Sequence, residues 1–111
     1  MVPGSFELPL AAAWAAEDPA VNAVLCLGCI IQGETKHDEY IASAVASGIM
    51  QLGLMSGIPV IFGVLTTNTE EQAKERAGGK HGNKGAEAAA SALHMAVVRT
   101  GDTTTKKRIG Y

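Results

Sequence analysis

Two apolar runs, AVLCLGCII at residues 23–31 and PVIFGVLTT at residues 59–67, constrain this chain more than any other feature. Both are continuous rather than alternating, contain β-branched residues and are bounded by turn-forming residues. Such runs predict strands of a parallel sheet covered on both faces. Between them Ile41, Val45, Gly48, Ile49 and Leu52 recur at helical spacing, which predicts a helix beginning near Thr35 and ending in GLMSGIP.

The remaining segments extend this alternation. MVPGSFELPL turns at Pro3 and Gly4, and an Ala-rich helix is expected from about Leu8 to Ala16, before a turn at Asp18–Pro19. TEEQ at Thr69–Gln72 is a capping box that opens a short helix stopping at Gly78 and Gly79. GGKHGNK reads as a loop, and GAEAAASALHMAVV as a last helix through Val98. With 111 residues the chain holds at most one domain, here residues 1–98, with 99–111 as a polar, basic tail. Strand and helix in alternation predict an α/β fold with a parallel sheet. Ligands of such sheets gather at the carboxyl ends of the strands, where the stretches 32–38 and 66–70 lie.

Composition narrows the function classes. At 47% hydrophobic and 18% charged the chain is globular, and a net charge of -2 gives no reason to expect nucleic acid. No apolar run approaches the roughly 20 residues of a membrane helix. Residues 1–20 lack the basic segment of a signal peptide, so the cytoplasm is the expected compartment. Cys26 and Cys29 form a C-x-x-C, but residues three apart on a strand face opposite ways and no second pair completes a zinc site. Both are read as small buried hydrophobes, and no metal is expected.

Three stretches carry chemistry. GETKHDEY begins at Gly33 where a helix starts, and a helix N-terminus offers free N–H groups and partial positive charge. Thr35 with Asp38 would supply a plain cap, so the residues alone leave a capped helix and a phosphate seat both open. His37 in the first turn would be held neutral by the helix dipole, the form that accepts a proton, or would be a surface histidine without a role. Lys84 begins the last helix behind Asn83, where a cation is disfavoured. With Arg76 and Lys80 it forms either an anion-facing cluster or a solvated basic loop. Its neighbours exclude a P-loop. Phe62 is expected in the core, whereas Phe6 lies too near a turn to be buried.

VPGSFELP, GCIIQGETKHDEY, IFGVLTTNTEEQAKERAG and GNKGAEAA occur in the order and at close to the spacing of the lumazine synthase family, which the chain resembles from Val2 to about Val98. The resemblance implies a three-layer α/β/α, flavodoxin-like sandwich. It implies condensation of 5-amino-6-(D-ribitylamino)uracil with 3,4-dihydroxy-2-butanone 4-phosphate, losing phosphate and water, with no cofactor. By motif, Ser5, Phe6 and Glu7 would lie along the ribityl chain, and Ile30 and Ile31 against the ring. Gly33, Glu34 and Thr35 would seat the phosphate with Arg76 as its charged partner, and His37 would shuttle protons. Phe62, Arg76 and Lys84 would come from an adjacent subunit, Lys84 facing the pyrimidine carbonyls. A homo-oligomer, pentamer or 60-mer, is implied, with riboflavin synthase as a further partner.

Family members also carry a further N-terminal third with two strands, a helix and a stacking aromatic. Against that pattern the chain looks like a homologue without it, and the 111 residues alone are expected to be insoluble or molten and inactive. The alternatives are an archaeal-type riboflavin synthase, against which the full motif set argues, and a non-catalytic flavin-binding or shell-forming homologue, or inactive fragment.

Overall fold

The computed structural model describes residues 1–33 and 36–101. The elements, in order, are a 3-10 turn (Ser5–Glu7), α1 (Leu8–Ala16), β1 (Val24–Ile31), α2 (His37–Ser56), β2 (Val60–Thr67), α3 (Glu70–Arg76), β3 (Ala77–Gly79), β4 (Gly82–Asn83) and α4 (Lys84–Thr100). This is an α/β fold with one parallel and one antiparallel strand pair.

Both apolar runs form strands, and they pair in parallel from Val24↔Val60 to Ile31↔Thr67. Backbone bonds close both ends of the ladder: Val24 N–H donates to the Pro59 carbonyl at 2.9 Å, and Gln32 N–H to the Thr67 carbonyl at 2.7 Å. α2 makes the crossover. Gly57 ends it at φ 74, a left-handed conformation that glycine adopts without a Cβ penalty, and its N–H donates to the Gly53 carbonyl.

The core follows from the register. Cys26 and Ile30 of β1 and Val64 of β2 share one face of the sheet, and Ala12 of α1 with Val45 and Ile49 of α2 close over them. Leu8, Ile41, Ala42 and Leu52 pack around this cluster, so the helical stripe expected of α2 is the one it buries. On the opposite face α4 packs against β2, with Ala88 beside Gly63.

Four expectations need correction. β1 is not covered on both faces: its burial alternates, and Leu25, Leu27, Cys29 and Ile31 are exposed, Leu27 by 53%. The reason is that α4 on that side lies chiefly over β2. Cys29 is consequently exposed while Cys26 is buried, so only one thiol behaves as a core hydrophobe. GGKHGNK is not wholly loop, because Ala77–Gly79 and Gly82–Asn83 pair as a short antiparallel hairpin. The expected cap at Thr35 lies outside the described residues. α2 starts from Lys36, which makes no side-chain cap bond. α4 runs two residues beyond Val98 to Thr100.

Burial pushes the Cys26 thiol above its ordinary value of 9.0. The folded state therefore holds Cys26 neutral where the unfolded chain ionises, and its contribution is complete below that value and lost as pH rises through the folded pKa. Thiol-reactive dye should accordingly label Cys29 rapidly and Cys26 only on unfolding, with stability falling as pH rises beyond 9.0. Equal labelling rates in the native protein would contradict the register. Ile49→Ala should cost about 2–5 kcal/mol in urea unfolding, through lost burial and a cavity between α2 and the sheet.

Candidate active site

The parallel register brings the carboxyl ends of β1 and β2 level, and the chain leaves them at Gln32–Gly33 and Asn68–Thr69. At the β1 end Ile31 is exposed, whereas Ile30 is packed in the core. Gly33 is exposed, and an added Cβ there would meet nothing within 4 Å. Glu34 and Thr35 lie outside the described residues. His37 is the first residue of α2 and is exposed, so its imidazole lies at the positive end of a 20-residue helix. The next residue, Asp38, is buried to 7% exposure. Sequence reading treated Asp38 only as a capping partner, and nothing in the apolar periodicity marks it as interior.

The β2 end is fixed by side-chain bonds. Thr67 is buried and its hydroxyl donates to the Thr69 carbonyl at 2.9 Å. Thr69 caps α3 by accepting from the Gln72 N–H at 3.1 Å, and Gln72 Oε1 accepts from the Asn68 N–H at 2.9 Å. The capping box is present, with its return bond moved one residue outward.

α3 delivers Arg76 to the start of the hairpin, and Asn83 caps α4 by accepting from the Ala86 N–H at 3.0 Å. The pairing of Ala77 with Asn83 makes Arg76 and Lys84 neighbours across the open end of that hairpin. Both cations lack an ion-pair partner among the described residues, where Lys74 pairs with Glu70 and Lys80 with Glu75. Lys80 therefore leaves the expected cluster, and His81, also beside Glu75, joins it there. Lys84, half-buried at a helix N-terminus where a cation is disfavoured, and exposed Arg76 both stay open to an anionic or carbonyl group.

Ser5, Phe6 and Glu7 form the 3-10 turn before α1. Phe6 is 61% exposed, and the Glu7 carboxylate folds back over Gly4. Ser5 lies against Gly28 of β1 and lines an open pocket of about 450 Å3 with Val2, Leu25, Leu27 and Cys29.

Phe62 stands apart from all of these. It is 37% exposed rather than core, and it lines an apolar groove of about 680 Å3 with Met50, Leu54, Met95 and Val98. That groove flanks the amino end of β2. Five residues of strand separate Phe62 from Thr67, about 16 Å at about 3.3 Å per residue. Within one chain, then, Phe62 does not join the residues at the strand carboxyl ends.

Replacing the α4 cap tests how the basic pair is held. Asn83→Ala should cost about 1 kcal/mol in thermal or urea unfolding, and Asn83→Asp should retain most of the stability. Equal losses in the two variants would show that the Ala86 N–H bond is not what starts α4.

The profile of the 6,7-dimethyl-8-ribityllumazine synthase family matches residues 1–100. A protein of that name from Cytophaga hutchinsonii is 61% identical over 94 residues, covering 85% of this chain and 59% of the relative. One from Thermus thermophilus is also 61% identical over 94 residues, covering 85% and 60%. A third, from Porphyromonas gingivalis, is 58% identical over 95 residues, covering 86% and 59%. The chain thus spans 59–60% of the length of these curated relatives. With most of its residues matched at such identity, the chain belongs to the 6,7-dimethyl-8-ribityllumazine synthase family.

Proposed function

We propose that the protein acts in riboflavin biosynthesis, condensing 5-amino-6-(D-ribitylamino)uracil with 3,4-dihydroxy-2-butanone 4-phosphate to 6,7-dimethyl-8-ribityllumazine, phosphate and water. The observation that carries this reading is the family match over residues 1–100. The surrounding architecture is that of a flavodoxin-like, three-layer sandwich, of which residues 1–100, through the end of α4, form a part. No helix of the described residues is long and apolar enough to cross a membrane, which accords with a cytoplasmic site of action.

The chemistry follows from the placement of charge. We assign the substrate phosphate to Gly33, Glu34 and Thr35, with Arg76 as counter-charge. The pyrimidine amine attacks the butanone carbonyl, and water leaves as the imine forms. Phosphate is then eliminated, and the ring closes with loss of a second water. Each step moves a proton, and exposed His37 is positioned to take and return it. Ser5, Phe6 and Glu7 hold the ribityl chain, Glu7 accepting from its hydroxyls, while Ile30 and Ile31 border the ring and Lys84 faces its carbonyls. The oxygens that gain negative charge meet Lys84 and Arg76, which have no competing carboxylate partner among the described residues.

Subunit sharing accounts for the isolation of Phe62. We place Phe62, Arg76 and Lys84 of one subunit in the site of its neighbour, within a pentamer or larger shell. The exposed Met50, Leu54, Met95 and Val98 around the groove support such a contact, because apolar rims of this kind are commonly closed by association.

The direct test is to supply both substrates and follow lumazine and phosphate appearing together. The chain is assayed alone and joined behind the N-terminal stretch of its Thermus thermophilus relative. Absence of lumazine in a folded, assembled protein would refute the reading. In the active form His37→Ala should lower turnover toward the lower end of the 10²–10⁴-fold usual for an acid–base group, about 10²-fold, and leave pyrimidine binding intact. An unchanged turnover number would remove His37 from the proton path. His37→Ala and Arg76→Ala chains assembled together should regain activity, since some mixed interfaces carry both groups intact. Verified mixed oligomers without activity would refute the shared site.

A further inference from the structure

We propose that Gly28 is a positioning residue for the pyrimidine substrate: its missing side chain is the seat on which the Ser5–Glu7 turn is held in binding geometry. The inference rests on the function proposed above and adds to it a residue that touches no reacting atom.

The argument is steric. A Cβ built on Gly28 would lie 2.8 Å from Ser5 Oγ and 3.3 Å from Leu8 Cδ1. The first distance is shorter than a carbon–oxygen contact allows, so the Ser5 hydroxyl would have to turn out of its present direction or shift with its turn. Pro9, the second residue of α1, is held likewise from another element. A Cβ on Gly48 of α2 would come within 3.0 Å of Pro9 Cγ and 3.1 Å of Pro9 Cβ. Ser5 therefore rests on the sheet and Pro9 on α2, and both supports are glycines. Between them lie Phe6 and Glu7, both exposed, and Leu8, which packs on the core; the turn's own backbone bonds are Glu7 N–H to the Gly4 carbonyl at 3.2 Å and Leu8 N–H to the Ser5 carbonyl. A turn with exposed ligand-binding side chains needs outside support to keep one geometry, and two close approaches of backbone provide it.

Gly63 supplies the control. A Cβ there is as crowded, 2.7 Å from Leu27 Cδ2 and 3.2 Å from Ala88 Cβ, but on the opposite face of the sheet, and it meets no atom of the turn within the three nearest contacts.

The experiment measures Kd for 6,7-dimethyl-8-ribityllumazine by fluorescence titration, alongside amide hydrogen exchange at Glu7. The proteins are the wild-type chain, Gly28→Ala, Gly48→Ala, Gly63→Ala, Ser5→Ala and the Ser5→Ala/Gly28→Ala double variant. Misplacing binding groups by about 1 Å can cost up to about 10²-fold, so Gly28→Ala should weaken binding about 10-fold or more and speed exchange at Glu7. Gly48→Ala should act in the same direction. Gly63→Ala should lower stability but leave Kd unchanged. Removing Ser5 Oγ leaves Ser5 Cβ at 3.7 Å from the new methyl, so the double variant should bind no worse than Ser5→Ala alone. Equal weakening by Gly63→Ala, or additive losses in the double variant, would reduce Gly28 to a structural glycine and overturn the proposal. Rapid Glu7 exchange in the wild type would overturn the seat itself. Failure of the wild type to bind the lumazine, with Glu7 still protected, would instead overturn the functional reading and the substrate assignment with it.

Discussion

The hydrogen bond from Gln32 N–H to the Thr67 carbonyl, 2.7 Å long, ends the parallel ladder and sets everything beyond it. With the Val24–Pro59 bond at the other end it fixes eight residue pairs in register. A slip of one residue would turn Cys26 and Ile30 away from Val45 and Ile49 and place exposed Leu25 and Leu27 against the helices instead. Because both strands stop at the same level, the backbone that enters α2 and the backbone that enters α3 emerge side by side. The first reaches His37 at a helix N-terminus, and the second, through α3, reaches Arg76 and Lys84. That alignment sets each chain's share of the proposed site, its own His37 end and the Arg76 and Lys84 that it offers a neighbour, before any single side chain does.

Electrostatics then divides the basic residues into two groups. Lys74 and Lys80 are matched by Glu70 and Glu75, as exposed lysines on a solvated surface commonly are, and such pairs contribute little to stability. Arg76 and Lys84, like Lys36 and Arg99, have no carboxylate at ion-pair distance among the described residues, and in the proposed function an anionic substrate meets the first two.

Most of the architecture was legible in the residues, and its failures have physical causes. Continuous apolar runs identified both strands to within a residue at their starts, and the stripe Ile41–Val45–Ile49–Leu52 identified the buried side of α2. Thr69 and Asn83 announced the caps that they form. What composition could not reveal was how far α4 reaches across the sheet, and so Leu27 and Cys29 are exposed where burial was expected, while Phe62, on the other face, is left open along the groove beside Met50 and Leu54. The hairpin at 77–83 was missed because its strands are only three and two residues long and rich in glycine, with no alternation to detect. Around the hairpin, charge alone leaves open an anion-facing cluster of Arg76, Lys80 and Lys84 and a solvated basic loop; the pairing of Lys80 with Glu75 is made by the hairpin's fold and leaves no trace in the order of charges.

Residue-resolved hydrogen exchange of the β1 amides tests the alignment most directly. Val24 and Gln32 both donate to the β2 side, and strand alternation turns the N–H groups of Cys26, Gly28 and Ile30 the same way. Gln32 should therefore exchange slowly, as Cys26 and Ile30 do, marking a ladder that extends through the last pair before the site. Rapid exchange at Gln32 while Cys26 and Ile30 stay protected would show the strand ends open and not level, and the account of the site would not survive it.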